Sequence, residues 1–134
     1  MPFKATHRFA RISPRKARLV MDLIRGRDVD DALSVLEFNK RRAGAYISKV
    51  VRSAIANYND RPENAGTRNA LFISEARADE GPTIKRFQPK DRGKAHPIMK
   101  RTAHLVVAVE ERGEGAPKRG AKAKRRPQPA GQQD

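Results

Sequence analysis

Cysteine and tryptophan are both missing from the 134 residues, and only 5% of the chain is aromatic. Without cysteine there are no disulfides to staple a small fold and no thiolates to hold a metal, a usage that fits a cytosolic protein. Long apolar runs are missing too. Leu105-Val106-Val107-Ala108-Val109 is among the longest, far short of the roughly 20 residues that cross a bilayer. The opening Met1-Pro2-Phe3-Lys4-Ala5-Thr6-His7-Arg8 has no apolar stretch of the length a secretory signal needs. Acid is scarce: 15 Asp and Glu stand against 30 Lys and Arg, a net charge of +15. The length suits one domain with appendages. So large an excess of cations calls for a polyanion, with nucleic acid first and an anionic membrane surface far behind.

The excess is unevenly distributed. Residues 1–27 hold eight basic side chains and one acidic, net +7, whereas residues 28–82 hold eight and nine, net −1. Residues 83–104 return to +6, and residues 112–134 add +5. A near-neutral body therefore carries three basic elements: an N-terminal segment, an internal loop region and a tail. The tail, with four Gly, three Pro and the cluster Lys122-Ala123-Lys124-Arg125-Arg126, cannot bury enough surface to offset its ordering entropy and reads as disordered.

Three helices are legible. Ser13 is a good N-cap, Pro14 fits the first helical position and Gly26 follows the last turn. Ala17, Val20, Leu23 and Ile24, with Leu19 at the margin, make an apolar stripe, and Arg15, Arg18, Asp22 and Arg25 fall opposite it. A second, shorter helix begins near Asp30 as cap with Val29 as staple, burying Ala32, Leu33, Leu36 and Phe38. The third runs from Arg42 to Tyr58 with Ala43, Ile47, Val50, Val51, Ala54, Ile55 and Tyr58 on one face. From Ala70 the period becomes two: Leu71 to Ala78, Thr83 to Gln88 and Ile98 to Glu110 all read as extended. Leu23, Ile47, Val50, Val51, Ile55, Leu105 and Val107 are the expected core.

The last two extended segments flank Pro89-Lys90-Asp91-Arg92-Gly93-Lys94-Ala95-His96-Pro97, a polar turn region. They predict a long antiparallel hairpin with its tip near Arg92-Gly93. Its stem offers only Ile84, Phe87, Ile98 and Met99 as apolar residues. One arm of about ten residues at roughly 3.3 Å each reaches about 33 Å. A body of about 100 residues has a radius of gyration near 13 Å, so the hairpin must protrude. The expected fold is of the α/β class, α+β type: three helices on a small antiparallel sheet, a protruding β-hairpin and a disordered basic tail. It forms one domain over residues 1–111, with the hairpin at about 82–104 and the tail at 112–134. Arg8, Arg11, Arg15, Lys16, Arg18 and Arg25, with Lys85, Arg86, Lys100 and Arg101 on the stem, are the candidate phosphate contacts. Pro89, Lys90, Arg92, Gly93 and Lys94 form the candidate hairpin tip.

Catalytic and metal sites are not indicated. His7, His96 and His104 have no ligand-spaced partners, and His104 reads as a structural residue at a strand start. No Gly-rich loop precedes a helix in the phosphate-cradling pattern. Asp30-Asp31 and Glu110-Glu111 are explained by helix capping or solvation. Ser13, Ser34, Ser48, Ser53 and Ser74 show no nucleophile elbow. The expectation is a protein that is not an enzyme, with no cofactor, no metal and no small-molecule substrate.

The run Arg11-Ile12-Ser13-Pro14-Arg15-Lys16-Ala17-Arg18-Leu19-Val20-Met21-Asp22-Leu23-Ile24-Arg25-Gly26 strongly resembles the first helix of the universal large-subunit ribosomal protein family numbered twenty-two, bacterial type. Ser53-Ala54-Ile55-Ala56-Asn57, Asp79-Glu80-Gly81-Pro82 with Ile84-Lys85-Arg86, and Arg92-Gly93-Lys94 resemble it as well. So do Lys100-Arg101-Thr102 and His104 leading into a strand of valines. The likeness spans residues 4–110 in consistent order. Lys90-Asp91 departs from it: there the family pattern has Arg or His before a small residue, so Asp91 sets an acid near the tip. The resemblance implies a structural constituent of the large subunit of the cytoplasmic ribosome. It implies a body on the solvent side and a hairpin threading through ribosomal RNA to the wall of the nascent-peptide exit tunnel. The implied partners are large-subunit ribosomal RNA, neighbouring ribosomal proteins and the nascent polypeptide, with no membrane, and tunnel-binding macrolides would sense the hairpin.

Other classes compete on charge alone. A helix-turn-helix regulator would present its second helix to the major groove. Here that helix offers Asp30, Asp31 and Glu37 with no cation before Lys40. A basic nucleoid-type DNA-binding architectural protein would grasp DNA with its ribbon, with Pro89 or Pro97 as the wedge such arms carry. An RNA-modifying enzyme is weakened by the lack of any catalytic constellation.

Overall fold

The computed structural model describes residues 2–64 and 71–112. In chain order these are β1 (Phe3–Ala10), α1 (Pro14–Ile24), α2 (Val29–Phe38), α3 (Arg42–Asn59), β2 (Leu71–Glu80), β3 (Ile84–Lys90), a 3-10 turn (Asp91–Gly93), β4 (Lys94–Lys100) and β5 (Ala103–Glu111). Three helices thus pack on a small antiparallel sheet of order β1-β5-β2, and β3 and β4 form a separate two-stranded ribbon. The basic tail expected from residue 112 lies, from residue 113 on, outside the described residues.

Helix α1 starts as its sequence dictates, with Pro14 in the first turn and the Ser13 hydroxyl accepting from the Lys16 amide at 3.3 Å. Its buried face is Pro14, Ala17, Val20, Met21 and Ile24. Leu23, expected in the core, is 45% exposed, and Leu19 is exposed with it. At 100° per residue Leu23 sits about 120° from the centre of the buried stripe, and Met21 takes the place assigned to it. Gly26 then turns the chain with φ 76°, and its amide donates to the Ile73 carbonyl at 2.9 Å. The Ile73 amide returns a bond to the Arg27 carbonyl at 2.9 Å, so the α1–α2 connection is stitched to β2.

Helix α2 begins at Val29, one residue before the expected Asp30 cap, and Val29 is itself buried. Asp28 precedes it without a side-chain cap bond, because its carboxylate faces Arg112 at 3.1 Å. Arg112 is held in turn over the Phe72 ring, 5.2 Å from the centroid. A residue assigned by composition to the tail therefore belongs to the body. Phe38, expected on the buried side, is 85% exposed at the last position of α2. Helix α3 buries Ala43, Ile47, Val50, Val51, Ala54 and Tyr58, with Ile55 partly covered. Tyr58 meets Phe3 edge-on at 5.2 Å, and its hydroxyl donates to Glu111.

Strand β5 lies between β1 and β2, and Leu105, Val106, Val107, Ala108 and Val109 are all buried. Strand β1 pairs with it from Phe3↔Val109 to Ala10↔Ala103, with a bulge between His7 and Ala10. The ribbon leaves the sheet where β2 and β5 end. There the Gly81 amide donates to the Thr102 carbonyl at 2.9 Å, and the buried Thr102 hydroxyl donates to the Pro82 carbonyl at 2.6 Å. A Cβ on Gly81 would stand 2.5 Å from Thr102 Oγ1 and 3.2 Å from the Thr102 carbonyl group, so this crossing admits no side chain.

Two outcomes follow from this packing. Val51→Asp buries an unpaired charge that costs several kcal/mol, enough to unfold a domain of ordinary stability, whereas Leu23→Ser should shift it by under about 1 kcal/mol. Thermal unfolding followed by circular dichroism separates the two, and a folded Val51→Asp variant would refute the assigned α3 face. Gly81→Ala should destabilise by about 1–3 kcal/mol, because Thr102 must move and give up its bond to Pro82. An unchanged melting temperature would mean the crossing is loose.

Candidate nucleic-acid interface

The first turn of α1 carries Arg15 and Lys16 and no acid. Cations there oppose the positive end of the helix dipole, a repulsion that an external anion would relieve. Facing this turn is the root of the ribbon. Between them opens a cleft of about 1200 Å³, lined by Arg11, Arg15, Lys16 and Arg18 on one side and Arg86, Lys100 and Arg101 on the other. Arg42 of α3 adds an eighth cation, and Glu80 is the one acid in the lining. Seven of the ten candidate phosphate contacts, scattered over ninety residues of sequence, thus surround one space.

The remaining three lie elsewhere. Arg8 is exposed on the β1 bulge, with its guanidinium 5.3 Å from the Phe9 centroid. Lys85 shares a ribbon face with Met99 and is not among the residues lining the cleft. Arg25 is committed to the fold: Nε and Nη2 donate to the Ala76 carbonyl at 3.1 and 2.6 Å, and Nη1 pairs with Asp22 at 2.7 Å. Arg18 does both jobs, its Nε tethered to the Ala78 carbonyl at 3.1 Å while the side chain lines the cleft. Arg42 escaped the sequence reading because α3 looked purely structural. The run Lys40-Arg41-Arg42 at its start was the available signal.

The ribbon register runs from Ile84↔Lys100 to Lys90↔Lys94. Opposed residues share a face and alternate residues change face. One face therefore holds Arg86, Lys90, Lys94 and Lys100 together with Ile84, Gln88, His96 and Ile98. The other holds Phe87, Pro89, Ala95, Pro97 and Met99, with Lys85 its one charge. The cationic face enters the cleft through Ile84, Arg86 and Lys100, and the other face reaches it only at Met99.

Pro89 and Pro97, expected as shoulders of a broad turn, instead sit inside the paired ribbon opposite Ala95 and Phe87. Both lie in rows of the same parity, which leaves the intervening rows to carry the ladder that a proline cannot supply. The turn itself is only Asp91–Gly93, with Arg92 at φ 56° and Gly93 at φ 74°. Nothing lies within 4 Å of a Cβ built on Gly93, so conformation alone calls for glycine there.

Residues 5–110 match the family described as ribosomal protein L22p/L17e. The chain belongs to this ribosomal protein family. It is 52% identical over 113 residues to the large ribosomal subunit protein uL22 of Lactobacillus helveticus, covering 83% of this chain and 93% of that protein. It is 51% identical over 110 residues to the protein of the same name from Lactobacillus delbrueckii subsp. bulgaricus, covering 81% and 91%. The matched span takes in all the residues that line the cleft and the whole of the ribbon.

The two classes of arginine should separate by experiment. Arg15→Ala with Lys16→Ala should lower the salt slope of RNA binding by about 0.7–0.9 per lost phosphate contact while leaving the fold intact. Arg25→Ala should lower the melting temperature instead, by the loss of about 1–3 kcal/mol of charge-assisted bonding to β2. A double variant with an unaltered slope would remove α1 from the interface.

Proposed function

We propose that this protein is a structural constituent of the large subunit of the cytoplasmic ribosome, that it binds large-subunit ribosomal RNA through the cleft, and that its ribbon extends to the wall of the nascent-peptide exit tunnel. The observation that carries the RNA reading is the cleft of about 1200 Å³, where eight cations meet a single acid. Arginine suits such a site because its planar fork bonds two phosphate oxygens at once and stacks on splayed bases. The L22p/L17e family and the names of the relatives supply the large subunit as setting. Ribosomal RNA and neighbouring ribosomal proteins are then the partners, and the nascent chain is the third, met at the ribbon tip.

The tunnel reading rests on the ribbon. Seven paired residues per arm at roughly 3.3 Å each give about 23 Å of ladder beyond its root. Its side chains add nothing to the core, since every residue of β3 is exposed and only Ile98 of β4 is half-buried. Tip charge at Lys90, Arg92 and Lys94 acts outside the domain. Two DNA readings lose ground on the same structure. Asp30, Asp31 and Glu37 stand exposed on α2, a poor surface for a major groove. Pro89 and Pro97 are paired within the ribbon, so the turn carries no apolar wedge.

Replacing residues 89–95 with Asn-Gly closes the ribbon two rows earlier, on the Gln88–His96 pair, whose amides can both bond across a two-residue turn. In a strain with this variant as its sole copy, large subunits should assemble normally while nascent-chain stalling or the response to tunnel-binding macrolides changes. Normal stalling and drug response in normally assembled subunits would refute the tunnel role, and failed assembly would make the tip an anchor.

A further inference from the structure

The edge strand β1 contains a strained residue that the cleft does not explain. Phe9 has φ 57°, a left-handed conformation that bulky side chains seldom adopt, and it lies in the bulge between His7 and Ala10. A bulge on an edge strand re-aims a side chain. Here it exposes the ring: Phe9 is 54% accessible although it belongs to the sheet. The conformation is held in place, because the Phe9 amide donates to His104 Nδ1 at 3.0 Å and the two rings stand at right angles, 4.9 Å apart. His104 therefore accepts through Nδ1, which gives the imidazole a positioning role at the strand start. Arg8 lies over one face of the ring, 5.3 Å from its centroid.

The position of this ring matters. Phe9 is two residues from Arg11 and His104 two residues from Thr102, both in the cleft lining. The rest of this outer sheet face neutralises itself, with Lys4 on Glu75 at 3.3 Å and Arg77 on Glu75 and Asp79 at 3.2 and 3.4 Å. An exposed aromatic face beside an arginine, at the rim of a cationic cleft, matches a nucleic-acid strand. Such a strand brings phosphates at intervals and a flat π-face on each sugar.

We propose that Phe9, backed by Arg8 and fixed by His104, is a stacking platform for one unpaired nucleobase of an RNA strand whose phosphates occupy the cleft. The inference rests on the RNA reading above and adds to it a contact that is insensitive to salt. Strain at a residue pinned by its surroundings is the pattern found where a side chain is held ready for a ligand.

Two probes separate base from phosphate: an oligouridylate dodecamer and an abasic dodecamer of the same backbone, each bound by the full chain and followed by fluorescence anisotropy across a salt series. Phe9→Ala and Phe9→Leu should weaken oligouridylate binding by about 5- to 150-fold with the salt slope unchanged, and should leave abasic binding as it was. Phe9→Tyr should bind as the wild type does. Phe9→Gly, which takes the positive φ without strain, should fold and yet bind like Phe9→Ala, so a binding loss there cannot be unfolding. The stacking role is overturned if Phe9→Leu keeps wild-type affinity, which would mean simple apolar contact. Equal losses on both probes would also overturn it and point to a protein-facing or structural residue. A steep salt slope in the wild type with no effect of Phe9→Ala removes the platform alone. No salt-dependent binding in the wild type removes the RNA reading and the platform with it.

Discussion

Strand β5 has both faces out of water and both edges paired, and the other elements are arranged around that condition. Leu105, Val107 and Val109 pack under the helices, and Val106 and Ala108 on the opposite face are also buried. Such a strand can only be central, which makes β1 and β2 its antiparallel neighbours and leaves them as the sheet edges. Helix α1 is hooked to β2 by Arg18 and Arg25, whose guanidinium groups donate to the Ala78 and Ala76 carbonyls. Those carbonyls lie on an edge strand that would otherwise expose them. The ribbon hangs from the start of β5 through Thr102, so its direction is set by the same strand.

Charge is handled in two opposite ways on this framework. On the outer face of the sheet Lys4, Glu75, Arg77 and Asp79 form a chain of alternating sign with contacts of 3.2–3.4 Å. Each link is exposed and contributes little to stability, but together they leave that face near neutral. Around the cleft the cations Arg11, Arg15, Lys16, Arg86, Lys100 and Arg101 meet only Glu80. Repulsion among them is tolerated because they project into solvent, where salt screens it. The arrangement becomes favourable when an external anion enters, which is the condition an RNA-binding surface meets.

Much of this was legible in the residues. The Ser13-Pro14 start, the α3 stripe and the valine strand follow from capping rules and periodicity that tertiary contacts do not override. What escaped did so for identifiable reasons. Strand β1 is built from Lys4, Thr6, His7 and Arg8 around a few apolar residues, so it shows no strand-like run; it is a strand because β5 needs a partner. Hydrophobicity alone puts Leu23 and Phe38 inside, but helix geometry and a helix end leave them out. Seven candidate cations do converge. Arg25 could not be told from them, because the acceptor that claims it, the Ala76 carbonyl, is 51 residues away. Arg42 joins them only through the packing of α3.

The ribbon shows most plainly how sequence is divided between folding and function. Its residues do not build the core, and a two-stranded ribbon on its own is marginal in water. What holds it is the crossing of Gly81 and Thr102 at one end and the three-residue turn at the other. Between these points the register sorts Arg86, Lys90, Lys94 and Lys100 onto one face, and Phe87, Pro97 and Met99 onto the other. A ribbon needing only solubility would be charged on both faces. Phe87 is 77% exposed and Met99 46% exposed, an arrangement that disfavours the free protein in water. The two faces therefore differ in character, one mainly cationic and the other mainly apolar, and both reach the cleft at the ribbon root, the first through Ile84, Arg86 and Lys100 and the second through Met99. Side-chain identity from Ile84 to Lys100 is free of the core, while the body beneath it is set by the burial of β5.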